Sequence, residues 1–562
     1  MPSHILKLVL TTLSSLSLSE ASNRHWRHDT TPSVHLSNGT YVGLHNEQYN
    51  QDLFLGIPYA KPPTGSRRFA APQPLTESFD EPRSATEYGW MCIGYGSDTA
   101  NLGNPVSEDC LTINVVRPAG TSEDDDFPVG VWVHGGSYVN GGSRDPRYNL
   151  SYIVEQSVKE NKPIVAASIN YRVSYWGFMF SQEMQDAGAG NIGLRDQRMA
   201  LRWIQDNIAA FGGSPEKVTI WGESAGARSL GMQLVAYDGN SDGLFRSAIL
   251  ESGSSVAKFV GASAWQSYFD ALLAKTGCDT ATDKLDCLRE LPWQTLNKIW
   301  NGTNPLSVSS PTLSAVVDGD FMTGQGSRLL KDGKFARVPL LIGNNFDEGT
   351  GYAKTGINTT AQFQSYLSSI GMDSNQVSNL TTLYPDNPSV GIPSSYVGRP
   401  PAYPWGLQYK RVSAFAGDYQ QHAGRRLMAK SFAGAGLPVY SYLWNVYVNG
   451  IANIYGATHF QEVAFVFDNT EGVGYSANPF EGKPATFIQL ADLMSKMWVA
   501  FIHDTNPNLS SGPCSKGAVW PQYKLSQPNN LVFDVNRTNL RYIAKDNVRT
   551  TEMSYLLSNV FA

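Results

Sequence analysis

The sequence predicts an α/β architecture, a mostly parallel central sheet covered by helices on both faces, and three observations carry that expectation. Short continuous apolar runs recur at residues 129–133, 164–169, 218–221, 247–250, 338–342 and 438–444, each of a length suited to a strand buried on both faces. Between them lie segments of helical period: Leu194, Leu201, Ile204 and Ile208 share one face, and Gly212-Gly213 ends that helix. The run at 218–221 passes directly into Gly222-Glu223-Ser224-Ala225-Gly226 and then into helical sequence over 227–237. Strands that alternate with helices imply a parallel-rich sheet, whose sites lie at the carboxyl ends of its strands.

At 562 residues the chain is long enough for several domains, yet no linker, internal repeat or low-complexity segment divides it. It reads as one domain over residues 23–562 with long insertions. Hydrophobic content of 41% against 16% charged residues supplies a large core and argues against disorder. A net charge of −6 without a basic stripe argues against a nucleic-acid partner. The acidic run Glu123-Asp124-Asp125-Asp126 reads as a solvated loop between two strands.

Residues 1–22 carry Lys7, then Leu8-Val9-Leu10, Leu16 and Leu18, and end in small residues, the pattern of a secretory signal peptide. No later apolar stretch reaches about 18 residues, so no membrane span is expected. A secreted chain would offer seven sequons for glycosylation, at Asn38, Asn149, Asn301, Asn358, Asn379, Asn508 and Asn536. In an oxidising compartment the economical pairing of the five cysteines joins Cys92 to Cys110 and Cys278 to Cys287 and leaves Cys514 over. Spacing alone leaves that connectivity open. The chain has no Cys-x-x-Cys, and its nine histidines form no helical ligand pair, so no metal site is expected.

Gly-x-Ser-x-Gly at a strand-to-helix junction is the signature of a nucleophile elbow, where a Cβ two residues to either side of the serine would strike a neighbouring element. Ser224 would need a base, and the base a third group to orient it. Three histidines follow the elbow. His422 sits in the polar helical pattern of 418–426 and reads as a surface or supporting residue, while His503 closes a helix after the apolar run 498–502. His459 stands in the small-residue turn Gly456-Ala457-Thr458 after strand-like residues, and is the expected base. The acid should follow a strand between Ser224 and His459, and Asp347 and Glu348 both do. Spacing does not choose between them.

These residues lie within a longer series of landmarks: Phe54-Leu55-Gly56-Ile57-Pro58-Tyr59-Ala60, Glu108-Asp109-Cys110-Leu111-Thr112-Ile113-Asn114-Val115, His134-Gly135-Gly136-Ser137, Asn170-Tyr171-Arg172, Phe211-Gly212-Gly213, Glu251-Ser252-Gly253, Asp347-Glu348-Gly349 and Gly456-Ala457-Thr458-His459. In this series the chain resembles the type B carboxylesterases, a family that includes fungal lipases and cholinesterases. The resemblance implies an α/β-hydrolase fold, Glu348 as the acid, His459 as the base and Asp347 as a structural residue. It also implies the sequence-local cysteine pairing, with Ser252 and Glu462 as buried support beside the triad and Arg172 with Asp196 as an ion pair. The oxyanion hole would be formed by the N–H groups of Gly136, Ser137 and Ala225, with Ser137 standing where the family usually has a third glycine.

The expectation is therefore a secreted serine carboxylesterase, with a small-molecule ester as its partner and no cofactor. Only 17 residues separate Cys92 from Cys110, and they lack the amphipathic stripe of a lipase lid, which points to a dissolved substrate. No tryptophan lies in that loop to stack on a choline group, Trp90 falling just outside it. Tyr138, Trp90, Tyr95, Phe346 and Phe465 could line an aromatic pocket or serve as ordinary core. The alternatives are a tailoring enzyme for a secondary-metabolite ester or lactone, and a non-catalytic binding protein on the same fold.

Overall fold

A computed structural model describes residues 31–96, 103–509 and 517–562. Its centre is one eleven-stranded sheet. In chain order the strands are β1 (Leu44–Asn46), β2 (Gln51–Pro58), β3 (Thr112–Pro118), β4 (Phe127–Val133), β5 (Val165–Ile169), β6 (Gly213–Glu223), β7 (Ser247–Glu251), β8 (Leu340–Asn345), β9 (Val439–Trp444), β10 (Asn529–Phe533) and β11 (Arg541–Lys545). Across the sheet they follow the order β11-β10-β9-β8-β7-β6-β4-β5-β3-β2-β1. Every pairing from β5 through β4, β6, β7, β8 and β9 to β10 is parallel, and the outer pairings are antiparallel. The mostly parallel sheet read from the apolar runs is thus present, with antiparallel strands at both edges.

Side-chain alternation along the buried strands feeds two cores. Val129, Val131 and Val133 of β4 enter one core with Ile220 and Leu250, while Trp132 enters the other with Trp221. Helices α1 (Leu150–Lys159) and α4 (Thr486–Asp504) cover the tryptophan face, and α2 (Ile192–Asn207) and α3 (Ala225–Gly239) cover the valine face. Gly212, at φ 77°, turns the chain from the end of the α2 segment into β6. A third core, containing Trp176, Trp265 and Trp300, packs around the Cys278–Cys287 disulfide, and Cys92 is bonded to Cys110. The expected signal peptide and Cys514 lie outside the described residues. Among the described residues no helix is long and apolar enough to cross a membrane.

The junction of β6 with α3 is the element that fixes the site. Ser224 is held at φ 56° and ψ −122°, between the last residue of the strand and the first of the helix. A Cβ on Gly222 would sit 2.6 Å from the Val133 carbonyl oxygen, and one on Gly226 would sit 2.0 Å from the same atom. The turn closes against the backbone of β4, so only glycine fits on both sides. Gly226→Ala is therefore expected to destabilise the protein by about 2–4 kcal/mol, read as a lowered Tm in a thermal melt.

Candidate functional site

Loops at the carboxyl ends of neighbouring strands bring the site together. Ser224 follows β6, the stretch Gly136-Ser137 follows β4, Ser252 follows β7, Glu348 follows β8, and His459 lies in the long connection after β9. His459 Nε2 is 2.8 Å from Ser224 Oγ, and His459 Nδ1 is 2.7 Å from Glu348 Oε2. The other Glu348 oxygen accepts the Asn345 N–H at 2.8 Å and the Ser252 hydroxyl. Glu348 is fully buried, and these bonds aim its free oxygen at the imidazole.

The two adjacent carboxylates separate by direction. Asp347 donates its N–H to the Ala457 carbonyl at 2.9 Å and accepts the Ala457 N–H on Oδ2 at 2.9 Å. That two-bond ring ties the turn carrying Glu348 to the loop carrying His459. Burial pushes the Asp347 carboxyl up to about 7, the Ala457 bond opposing the shift. Thr350 adds to the clasp, its hydroxyl bonding to the carbonyls of Asp347 and Tyr455, both at 2.7 Å.

Ser252 and Glu462 stand behind Glu348. The Ser252 hydroxyl is 3.3 Å from Glu462 Oε1, and Asn345 Nδ2 donates to Glu462 Oε2 at 2.5 Å. Burial, aided by the charge of Glu348, raises the Glu462 carboxyl above its usual range. Arg172 and Asp196 form a buried two-point ion pair at 2.8 and 2.6 Å, and Asp196 also accepts the Arg172 N–H.

Three consecutive residues of positive φ, Gly136 (102°), Ser137 (56°) and Tyr138 (62°), shape the loop after β4. A Cβ on Gly136 would meet the Asn140 carbonyl at 2.3 Å. Ala225 opens α3, where backbone N–H groups have no partner inside the helix. Ser137, Ser224 and Ala225 line one cavity of about 630 Å³.

Four of the five aromatic candidates lie elsewhere. Only Tyr138 lines this cavity. Phe465 is fully buried in the tryptophan-face core, Tyr95 bonds Asn297 and Trp176, Phe346 borders a different cavity, and Trp90 is 54% exposed. His422 is likewise not a surface residue. It is 4% exposed, and burial together with Arg549, Arg425 and Arg426 holds its ring well below the usual histidine range. The polar pattern misleads because Arg425 and Arg426 are themselves buried, both on Asp546.

Two residues of the site escape the sequence reading. Glu223, the variable position of the pentapeptide, is buried with Oε1 3.3 Å from His459 Nε2. Burial first, then Glu462, Glu348 and Glu251, raise its carboxyl well above the ordinary value. A charged residue just after the apolar run 218–221 is the signal for it. Arg228, one turn into α3, is half-buried and lines the cavity beside Ser224. Its signal is a cation in the first turn of a helix, where the macrodipole opposes it.

The Asp347 shift has a stability sign. The folded protein holds this proton to higher pH than the unfolded chain, so the group's contribution is full below its ordinary carboxyl range and is lost as pH rises toward 7. Asp347→Asn keeps an acceptor for Ala457 and removes the titration. Its Tm relative to the unmodified protein is expected to rise by about 2–3 °C between pH 4 and pH 8, measured by calorimetry across that range.

With this geometry in view, the relatives are informative. Lipase 4 of Diutina rugosa is 34% identical, with 94% of this chain and 96% of that protein covered. Secreted lipase 1 of Botryotinia fuckeliana (strain B05.10) is 34% identical over 91% of this chain and 90% of its own. Among solved structures, Aspergillus niger EstA superposes with a TM-score of 0.79 at 27% identity, covering 94% of this chain and 98% of that one. The sequence profile of the carboxylesterase family matches residues 30–555. Profile, relatives and fold agree across nearly the whole length, and the chain belongs to the carboxylesterase family.

Proposed function

We propose that the protein is a secreted serine esterase that hydrolyses a dissolved carboxylic ester through an acyl-enzyme on Ser224. The observation that carries the reading is the continuous hydrogen-bonded line from Ser224 Oγ through His459 to Glu348 Oε2 at the wall of the 630 Å³ cavity. His459 Nε2 takes the serine proton as Oγ attacks the ester carbonyl, and then passes it to the departing alcohol. Glu348 holds Nδ1–H, which fixes the reactive tautomer and stabilises the imidazolium. The oxyanion is received by the N–H groups of Gly136, Ser137 and Ala225. Water, activated by the same histidine, then releases the acid. Ser252 and Glu462 keep Glu348 oriented, and no cofactor enters the cycle.

The names of the relatives include lipases, one of them a secreted triacylglycerol lipase of Gibberella zeae. The short Cys92–Cys110 loop favours a dissolved ester over an oil droplet. Residues 1–22 are read as a signal peptide, and the two disulfides support an extracellular location. Of the sequons, Asn301, Asn379 and Asn536 are exposed and are the favoured glycosylation sites, ahead of the half-buried Asn38, Asn149, Asn358 and Asn508. A tailoring enzyme for a secondary-metabolite ester or lactone would use the same machinery. A pure binding protein would not need the aligned hydrogen bonds.

Two measurements test this. Ser224→Ala is expected to lower turnover of p-nitrophenyl esters by about a million-fold and to abolish labelling by a fluorophosphonate probe. Retained labelling or turnover would remove Ser224 from the role. With tributyrin added past its solubility limit, the rate is expected to plateau, and a jump at the appearance of droplets would make the enzyme a lipase.

A further inference from the structure

The cavity above Ser224 is positively charged. Its lining includes Arg228 and Lys258, and no aspartate or glutamate lines it among the described residues. This contrasts with a chain whose net charge is −6. The charge is also unneutralised: among the described residues neither cation has a carboxylate partner within 4 Å. Arg228 Nη2 donates to the Gln420 carbonyl at 3.0 Å and lies 3.4 Å from the Gln420 side-chain oxygen. Lys258 Nζ donates to the Gly371 carbonyl at 3.2 Å from an exposed position at the rim.

The placement of Arg228 is costly in two ways. A half-buried guanidinium without a counter-ion loses hydration. Its position in the first turn of α3 sets it against the positive end of the helix dipole. Tyr138, Tyr352 and Tyr419 line the same wall, and their phenols offer the guanidinium no negative charge. The contacts with Gln420 are made through one guanidinium nitrogen, Nη2, and Arg228 lines the cavity. The arginine sits one helical turn from the nucleophile, with its backbone N–H on the Ser224 carbonyl at 2.8 Å.

We infer that Arg228, with Lys258 at the rim, recognises a negatively charged group on the substrate, so that the preferred ester carries a free carboxylate or a phosphate-type group a few bonds from the scissile carbonyl. This rests on the esterase reading for the identity of the ligand as an ester. The recognition itself does not depend on turnover. A forked guanidinium suits a planar carboxylate in two-point contact, while a tetrahedral phosphate-type anion shares the charge and differs in shape.

The experiment compares three ethyl esters with the same four-carbon spacer: monoethyl adipate, ethyl hexanoate, which has a methyl in place of the carboxylate, and ethyl 5-phosphonopentanoate. Hydrolysis is followed by chromatography in the full-length protein and in Arg228→Met, Arg228→Lys and Lys258→Ala. The ratio of kcat/KM for a charged ester to that for ethyl hexanoate is expected to fall about 10- to 100-fold in Arg228→Met, mainly through KM, and to recover in part in Arg228→Lys. The anion with the larger Arg228-dependent ratio identifies the natural group. An arginine with only a structural role would lower both rates together, and a ratio within twofold of the starting value would overturn the inference. Binding of monoethyl adipate to Ser224→Ala, measured by calorimetry with and without Arg228→Met, separates the two readings. Should no ester be hydrolysed, the function fails while this binding still decides the anion site; binding that ignores Arg228 overturns the inference by itself.

Discussion

The site depends first on a steric constraint, the closure of the turn at Ser224 against the carbonyl of Val133. A serine at φ 56° and ψ −122° is strained, and it persists because β6, α3 and β4 leave the backbone no alternative. The same closure aims Oγ over the carboxyl edge of the sheet and starts α3 at Ala225, next to Ser224. It also sets Arg228 one helical turn away, in the same cavity. The serine, the helix N-terminus and the cavity charge therefore follow from one backbone turn.

A second constraint is electrostatic. Four glutamates, Glu223, Glu251, Glu348 and Glu462, are buried together, and a low-dielectric interior does not tolerate several ionised carboxyls in contact. The neighbours of Glu348 are raised by burial and by one another. Glu251 is capped by the indole N–H groups of Trp221 and Trp498. Burial disfavours the charged form of these three carboxyls, while Glu348 is held in bonds with Ser252, Asn345 and the imidazole.

Much of this was legible in the sequence because strong local rules govern it. The buried strands announce themselves as apolar runs, the elbow as glycines spaced around a serine, and His459 as the histidine in a small-residue turn. The choice between Asp347 and Glu348 was not legible from spacing, because both follow β8 and only the direction of each side chain separates them. Residues such as His422 misled for a related reason: a polar pattern normally marks a surface, and here the polar groups are buried against Asp546 from a distant strand end. The cavity wall was the least legible part. Its residues come from α3, from the segments near 256–260 and 311–315, and from the chain near 352, 370, 419 and 561, and no local pattern records that convergence.

The charge at Arg228, which has no carboxylate partner among the described residues, has a kinetic side as well. On the proposed cycle, ester cleavage creates a carboxylate where none existed, and does so within one helical turn of a guanidinium. A cavity that draws in an anionic ester, as we infer for this one, would therefore also delay the departure of the acid. Progress curves for such an enzyme would bend early, and its throughput in a closed vessel would be governed by how quickly the acid is carried away.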